Sequence, residues 1–242
     1  MDLHIHSCLS PCADLMMSPK RIVQAAIAKK LDMIAVCDHN SAENVEATMT
    51  VARNTRLTVL PGMEVTSSEE VHVCGIFRDA DATLTLQELV YSQLSPGENN
   101  AALFGDQIIV NEFDEVEEYN RRLLIGATNL SVERVVAEIH RLGGLAIACH
   151  VDRQAYSIIE QLGFVPKNLQ LDALEISAAT TFDQAVKRIP QLTEYPIVSS
   201  SDAHSLDEIG KIATSFKIEN PDFDELRQAL RRENGRSISL RG

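Results

Sequence analysis

Met33-Ile34-Ala35-Val36-Cys37-Asp38-His39 is an apolar run that stops on an acid and a histidine. Such a run, bounded by polar residues, fits a buried strand, and the two polar residues then stand at its C-terminal end. Outward from it the same grammar recurs. Upstream, Leu3–His6 is a short strand candidate, and Ser18-Pro19 supplies a cap and first turn for a helix with Ile22, Val23, Ala26, Ile27 and Leu31 at helical spacing. Downstream, Ser41–Arg53 reads as helix, Leu57–Leu60 and Val71–Phe77 as strands, and Thr85–Leu94 as helix. Gln93–Gln107, rich in Ser, Pro, Gly and Asn, reads as a loop, and Gln107–Val110 as a short strand. A helix starts at Ser131, runs through Val132, Val135, Val136 and Ile139, and is ended by Gly143-Gly144. Strands follow at Leu145–Cys149, Leu169–Ile176, Ile197–Ser200 and Ser237–Leu240, with helices near Ser157–Leu162, Phe182–Arg188 and Asp222–Arg232.

Repeated strand-then-helix units predict a parallel sheet, open or closed into a barrel. The polar residues choose between the two. His39, Glu64, His150, Asp202 and His204 stand at or just past the ends of separate strands, and a barrel gathers such ends on one face. An open sheet would collect them along a crevice, but no glycine-rich nucleotide loop marks one.

The 242 residues suffice for one such barrel, taken here as a single domain over 1–242. With 45% hydrophobic and 24% charged residues, disorder is excluded. No run of 18 apolar residues suggests a membrane span. The start, Met1-Asp2-Leu3-His4, carries an acid where a signal peptide would be basic, so a cytoplasmic protein is expected. The net charge of −13 argues against nucleic acid and anionic membranes as partners. It does not exclude an anionic substrate, since bound divalent ions reverse the local field. Five cysteines in this length make no disulfide framework. Cys37, Cys74 and Cys149, each close to a histidine, read as small packing residues.

Of seven histidines, only His140 falls mid-helix. One strand-end histidine is usually structural. Six of them, accompanied by Asp38, Glu64 and Asp202, point to metal binding. His4 and His6, two apart on a strand, face the same side and can share an ion. Asp202 and His204 repeat the spacing, and Glu64 has two oxygens with which to bridge. Imidazole with carboxylate suits Zn, Fe or Mn better than Ca or Mg alone.

Asp2-Leu3-His4-Ile5-His6-Ser7, Cys37-Asp38-His39-Asn40-Ser41 and Pro61-Gly62-Met63-Glu64-Val65 resemble the opening motifs of the PHP family, named for polymerase and histidinol phosphatase. Val71-His72-Val73, Ala148-Cys149-His150-Val151 and Ser201-Asp202-Ala203-His204 resemble its later motifs, in the family's order. The resemblance implies a distorted (β/α)7 TIM-like barrel holding two or three divalent ions. By position, it assigns His4, His6, Glu64 and Asp202 to one ion. It gives His39 and His204, with an early acid or histidine, to a second, and Glu64, His72 and His150 to a third. Many relatives place an Asp or His five or six residues past the second histidine; here Pro11 and Cys12 hold those places. Asp14 is preferred as the substitute, because hard oxygen suits the cluster better than thiolate. Asp38 and Arg153 are the candidate catalytic side chains. Asp38 has the alternative role of orienting a ligand. The Arg153 fork suits a phosphate oxygen pair, a surface pair with Asp152 or Glu160 being the other reading. Glu175 is a further acid, more at home in a hydrogen bond at the barrel rim.

The reaction implied is hydrolysis of a small phosphomonoester or phosphodiester by a metal-bound hydroxide. The expected partner is a small phosphorylated metabolite. The rival readings are a non-catalytic metal-binding accessory module and an amidohydrolase-type reaction on a C–N bond.

Overall fold

A computed structural model describes residues 1–239. The chain opens with β1 (Asp2–Ile5), α1 (Pro19–Ala28), β2 (Met33–Val36), α2 (Val45–Ala52), β3 (Thr58–Thr66) and β4 (His72–Ile76). Next come α3 (Ala80–Gln93), α4 (Ala101–Phe104), β5 (Ile108–Val110), β6 (Val116–Tyr119), α5 (Val132–Arg141), β7 (Leu145–Ala148) and α6 (Ile158–Leu162). The last stretch holds β8 (Ala173–Ile176), α7 (Phe182–Arg188), a 3-10 turn at Pro190–Glu194, β9 (Ile197–Ser199), β10 (Ser215–Lys217), α8 (Phe223–Arg231) and β11 (Ser237–Ser239). Leu240, expected in the final strand, lies outside the described residues.

Seven strands form one sheet in the order β1-β2-β3-β4-β7-β8-β9. Its edges nearly meet: His6 N–H donates to Ala203 O at 3.0 Å and Leu3 N–H to Ser200 Oγ at 3.3 Å. The barrel is therefore almost closed, as the positions of the polar residues predict. It is not all parallel. β4 runs antiparallel to both β3 and β7, because the link 67–71 is far too short for a parallel crossover, which needs a dozen residues or more. His72, first in β4, thus reaches the same rim as the residues that end the other strands.

Other elements depart from expectation for local reasons. α2 begins at Val45, not Ser41, since Ser41 Oγ and Ala42 N–H are both engaged by Gln87 of α3. The expected loop 93–107 contains α4, and the exposed, acid-bearing β6 pairs with β5 outside the barrel. α5 fits its pattern: Ser131 Oγ accepts from Arg134 N–H, and Val132, Val135, Val136 and Ile139 are buried.

Apolar packing falls into layers. Val73, Ala146 and Leu174 face outward onto Leu86, Val136, Ile139 and Ala185 of the surrounding helices. Ile34 and Val36 do the same toward Ile22, Val23 and Val45. Leu3, Met33, Ala35, Leu60, Ile147 and Val198 fill the barrel interior, continuous with Phe223, Leu226 and Leu230 of α8. Alternation along the strands, interrupted in β1 by a register shift between Asp2 and Ile5 that lets both Leu3 and His4 face inward, leaves the rim for polar chemistry. No helix of the described residues is long and apolar enough to cross a membrane.

Candidate metal centre

Eight of the expected ligands converge on that rim. His4 lies within β1 and His6 just after it. His39 follows β2, Glu64 sits late in β3, His72 opens β4, His150 follows β7, and Asp202 and His204 follow β9. Glu64 is 1% exposed, and His4 and His6 are fully buried. The strand-end turns are bent to aim these side chains: Asn40, His150 and Asp202 have φ of 50°, 32° and 50°, where non-glycine residues are uncommon.

A metal site is recognised by donor atoms that converge without satisfying one another. His39 Nδ1 stands 2.8 Å from Glu64 Oε2, and His72 Nδ1 2.8 Å from Glu64 Oε1. None of these four atoms has the alignment of a hydrogen bond, and His150 Nδ1 is likewise unpartnered. His4 Nε2 is 3.2 Å from His6 Nε2, 3.5 Å from Asp202 Oδ1 and 3.4 Å from Glu64 Oε1; His6 Nε2 is 3.0 Å from Asp202 Oδ1. Donors about 2.0–2.1 Å from a tetrahedral ion stand roughly 3.3 Å apart. The residues fit divalent ions. Three groups, His4–His6–Asp202, His6–His39–His204 and His39–Glu64–His72, each bring their ligand atoms within 4.8 Å of one another.

Neighbours fix which nitrogen faces the centre. A carboxylate only accepts, so His4 Nδ1–H donates to Glu175, at 3.1 Å from Oε1, and turns Nε2 inward. Ser10 gives its hydroxyl proton to Asp38 Oδ1 at 2.7 Å, so His6 Nδ1–H must donate to Ser10 Oγ at 2.9 Å. His204 Nδ1–H donates to Asp202 O at 2.8 Å. Burial favours the neutral acid at Glu64, but His72, His4 and His39 hold its pKa well below the carboxylate range. At Asp202 burial is likewise overcome, chiefly by His4 and His6. Burial and the nearby His204 and His39 push His6 well down.

One expectation needs correcting and another resolves to its alternative. Asp38 does not reach the reacting face, and of its two readings the orienting one fits: its oxygens are taken by Ser7 N–H, Ser7 Oγ–H and Ser10 Oγ–H at 2.6–2.7 Å, so it braces the loop that carries His6. Asp14 does not reach the cluster either. The turn after Ser10-Pro11 does return the chain, with Asp14 N–H donating to His204 O at 2.8 Å, but the carboxylate points out and accepts from Met16 N–H at 2.8 Å. The side chain that touches His39 and His204 is Cys12. Desolvation opposes its ionisation, yet hydrogen bonds with His204 and His39 bring its pKa down to about 6. Asp14→Ala should therefore leave metal content unchanged and turnover within about twofold, as an exposed substitution does; loss of an ion on elemental analysis would restore the aspartate as a ligand.

Arg153 stands at the mouth, where its Nη1 donates to Asp202 Oδ2 at 2.5 Å. A cavity of about 180 Å³ opens there, with Ile125, Ala155 and Tyr156 among its walls and Glu64, His72 and His150 on the side of the histidine cluster. Tyr156 stacks on His72 with ring centroids 4.5 Å apart. Neither Tyr156 nor Ile125 carried a signal in the sequence, since both lie in irregular loops. Glu175 carried one: an acid inside an otherwise apolar strand.

The PHP domain family matches residues 2–188, and a PHP-associated family matches 181–234. The chain belongs to the PHP family. Among curated proteins, this PHP chain is 30% identical over 116 residues to an uncharacterized protein of Bacillus subtilis, covering 46% of the chain and 29% of that protein. It is 28% identical over 120 residues to a 5'-3' exoribonuclease of Haemophilus influenzae, covering 47% of the chain and 42% of the relative. It thus spans less than half the length of these relatives. Among solved structures, the lesion-specific endonuclease Q of Pyrococcus furiosus superposes with a TM-score of 0.71 at 21% identity, over 99% of this chain and 57% of that one. A putative metal-dependent phosphoesterase of Bifidobacterium adolescentis gives 0.64 at 15% identity, with 96% of each chain covered. Family and site together support a metal-dependent hydrolase.

One neighbour corrects the partner expectation. A complex of endonuclease Q with a 27-mer duplex bearing an abasic lesion at the active site matches with a TM-score of 0.72 at 20% identity, over 98% of this chain and 57% of that one. This fold is compatible with nucleic acid, so the inference from net charge to a small metabolite instead is overturned. Net charge describes the whole surface, while screening confines each charge to about 8–10 Å at ordinary ionic strength. At the mouth itself the charged side chains are Arg153 and those of the histidine–carboxylate cluster.

Proposed function

We propose that this PHP chain is a metal-dependent phosphodiesterase that cleaves nucleic acid at the rim of residues 1–239, with two or three ions of the Zn, Mn or Fe type. The observation that carries the reading is the convergence of Glu64, His39 and His72 donors that no hydrogen bond satisfies. His4, His6, His39, Glu64, His72, His150, Asp202 and His204 would hold the ions. When bound, such ions activate water near neutral pH and neutralise charge on phosphate oxygens.

The chain's own residues do the rest. Glu175 and the Asp38–Ser10 pair hold His4 and His6 in one tautomer. Arg153 exchanges its contact with Asp202 for a phosphate oxygen, a charge-assisted bond with the planar fork that phosphate suits. Ile125, Ala155 and Tyr156 limit water at the mouth. The match to an exoribonuclease and the duplex-bound neighbour favour a polynucleotide substrate.

The test is to load the metal-stripped protein with Mn²⁺ or Zn²⁺ and supply single-stranded and duplex DNA and RNA. Cleavage lost on chelation and regained on adding metal is expected. Metal-loaded protein inert on all of these would hand the case to the accessory-module reading. Arg153→Lys keeps the charge but loses the fork; it should raise KM for an oligonucleotide about tenfold while metal content stays constant. Unchanged KM would remove Arg153 from substrate binding.

A further inference from the structure

Directly below the histidine rim the barrel is lined with sulfur. Cys37 follows β2, Cys74 lies in β4 two residues after His72, and Cys149 immediately precedes His150; all are free, buried thiols. Cys74 pairs with Glu64 across the β3–β4 ladder. Gly62 makes room for the layer, since a Cβ there would come within 2.5 Å of Cys37 Sγ. Ligand atoms of His4, Glu64, Cys74 and Cys149 all lie within 4.8 Å of one another. Both Glu64 oxygens, in a side chain 1% exposed, have no hydrogen-bond partner. An acid so deeply buried and unsatisfied calls for a cation beside it.

We propose that Cys74 and Cys149 give this centre a sulfur-bearing position that takes a thiophilic divalent cation such as Zn²⁺, drawing on Glu64 and on His4 Nε2 in place of the His4–His6–Asp202 group, since one imidazole nitrogen holds one ion. The proposal rests on the reading above only in requiring that the centre binds metal. Two sulfurs, one imidazole and one carboxylate make a four-donor set of the kind zinc accepts, and thiolate ligands select against Mg²⁺ and Mn²⁺. Around zinc, sulfur sits at about 2.3 Å and nitrogen or oxygen at about 2.0–2.1 Å, so the side chains need to close in by roughly 1 Å from the upper bound of 4.8 Å. Each thiol gives up its proton as it takes the ion, and no redox step is involved.

Zinc X-ray absorption of the metal-stripped full chain, reloaded with one, two and three equivalents, reads the ligands directly. The Cys12→Ser variant serves as the parent, because Cys12 is the other thiol beside the histidines. A sulfur shell at about 2.3 Å is expected in this parent, and its loss on adding Cys74→Ser and Cys149→Ser at equal zinc loading. If the combined variant fails to fold by circular dichroism, each single substitution should halve the sulfur count. A parent with only nitrogen and oxygen neighbours at every loading overturns the sulfur site and leaves the phosphodiesterase reading intact. A parent that binds no zinc at all overturns the sulfur site and also removes the metal-binding basis of that reading.

Discussion

Glu64→Ala should strip more than one ion from the chain and lower cleavage of a phosphodiester by about a thousandfold or more. The carboxylate is the hub of the centre. Oε1 faces His72 Nδ1 at 2.8 Å and both His4 Nε2 and His150 Nε2 at 3.4 Å; Oε2 faces His39 Nδ1 at 2.8 Å and His6 Nε2 at 3.6 Å. Among the described residues, no other side chain addresses five imidazoles. A metal-held phosphoryl oxygen is worth several kcal/mol of transition-state stabilisation, and about 4 kcal/mol corresponds to a thousandfold in rate. His72→Ala is the comparison, because His72 touches only one of the two oxygens. Elemental analysis of both variants, purified without chelator, settles the point. If Glu64→Ala keeps as much metal as His72→Ala, Glu64 is not a bridge.

How much of this was legible in the residues depends on how local each signal is. The i, i+2 spacing of His4 and His6 and of Asp202 and His204 reports a shared face without reference to the rest of the chain. Six separate strand ends carrying ligand types required a closed sheet to bring them together, and the sheet is nearly closed. The direction of β4 could have been read as well: between Thr66 and His72 the chain has no room for a crossover, and only a hairpin fits. Other features depend on where a side chain turns. The return of the chain after Ser10-Pro11 was foreseeable, but whether Asp14 or Cys12 points inward is decided by Asp14 capping Met16 N–H, a rotamer choice that spacing does not encode. Asp38 next to His39 read as a catalytic acid or as a residue that orients a ligand, and only the contacts with Ser7 and Ser10 choose the second. The charge argument failed for a different reason: a count over 242 residues has no spatial resolution.

Glu175→Ala should weaken metal binding and lower turnover by about 10–100-fold, the usual cost of removing the partner behind a ligating histidine. Both oxygens of Glu175 lie near His4 Nδ1, at 3.1 and 3.3 Å, and Oε1 also accepts from His150 N–H at 3.3 Å. One buried carboxylate thus orients a candidate ligand from β1 and anchors the turn that carries another after β7. Its negative charge also raises the basicity of His4: burial alone would lower that pKa, but Glu175, Asp202 and Glu64 together hold it well above the ordinary value. Glu175→Gln separates the two contributions. The amide oxygen can still accept from His4 Nδ1–H, so geometry survives while the charge is lost. Partial rescue, with metal affinity between wild type and Glu175→Ala in a competition assay, is the expected result. A merely structural role would lower the melting temperature of both variants and leave the affinity of the folded fraction untouched. Wild-type metal affinity in Glu175→Ala would therefore mean that His4 holds its orientation through packing in the barrel interior, and that the carboxylate behind it serves the turn at His150 alone.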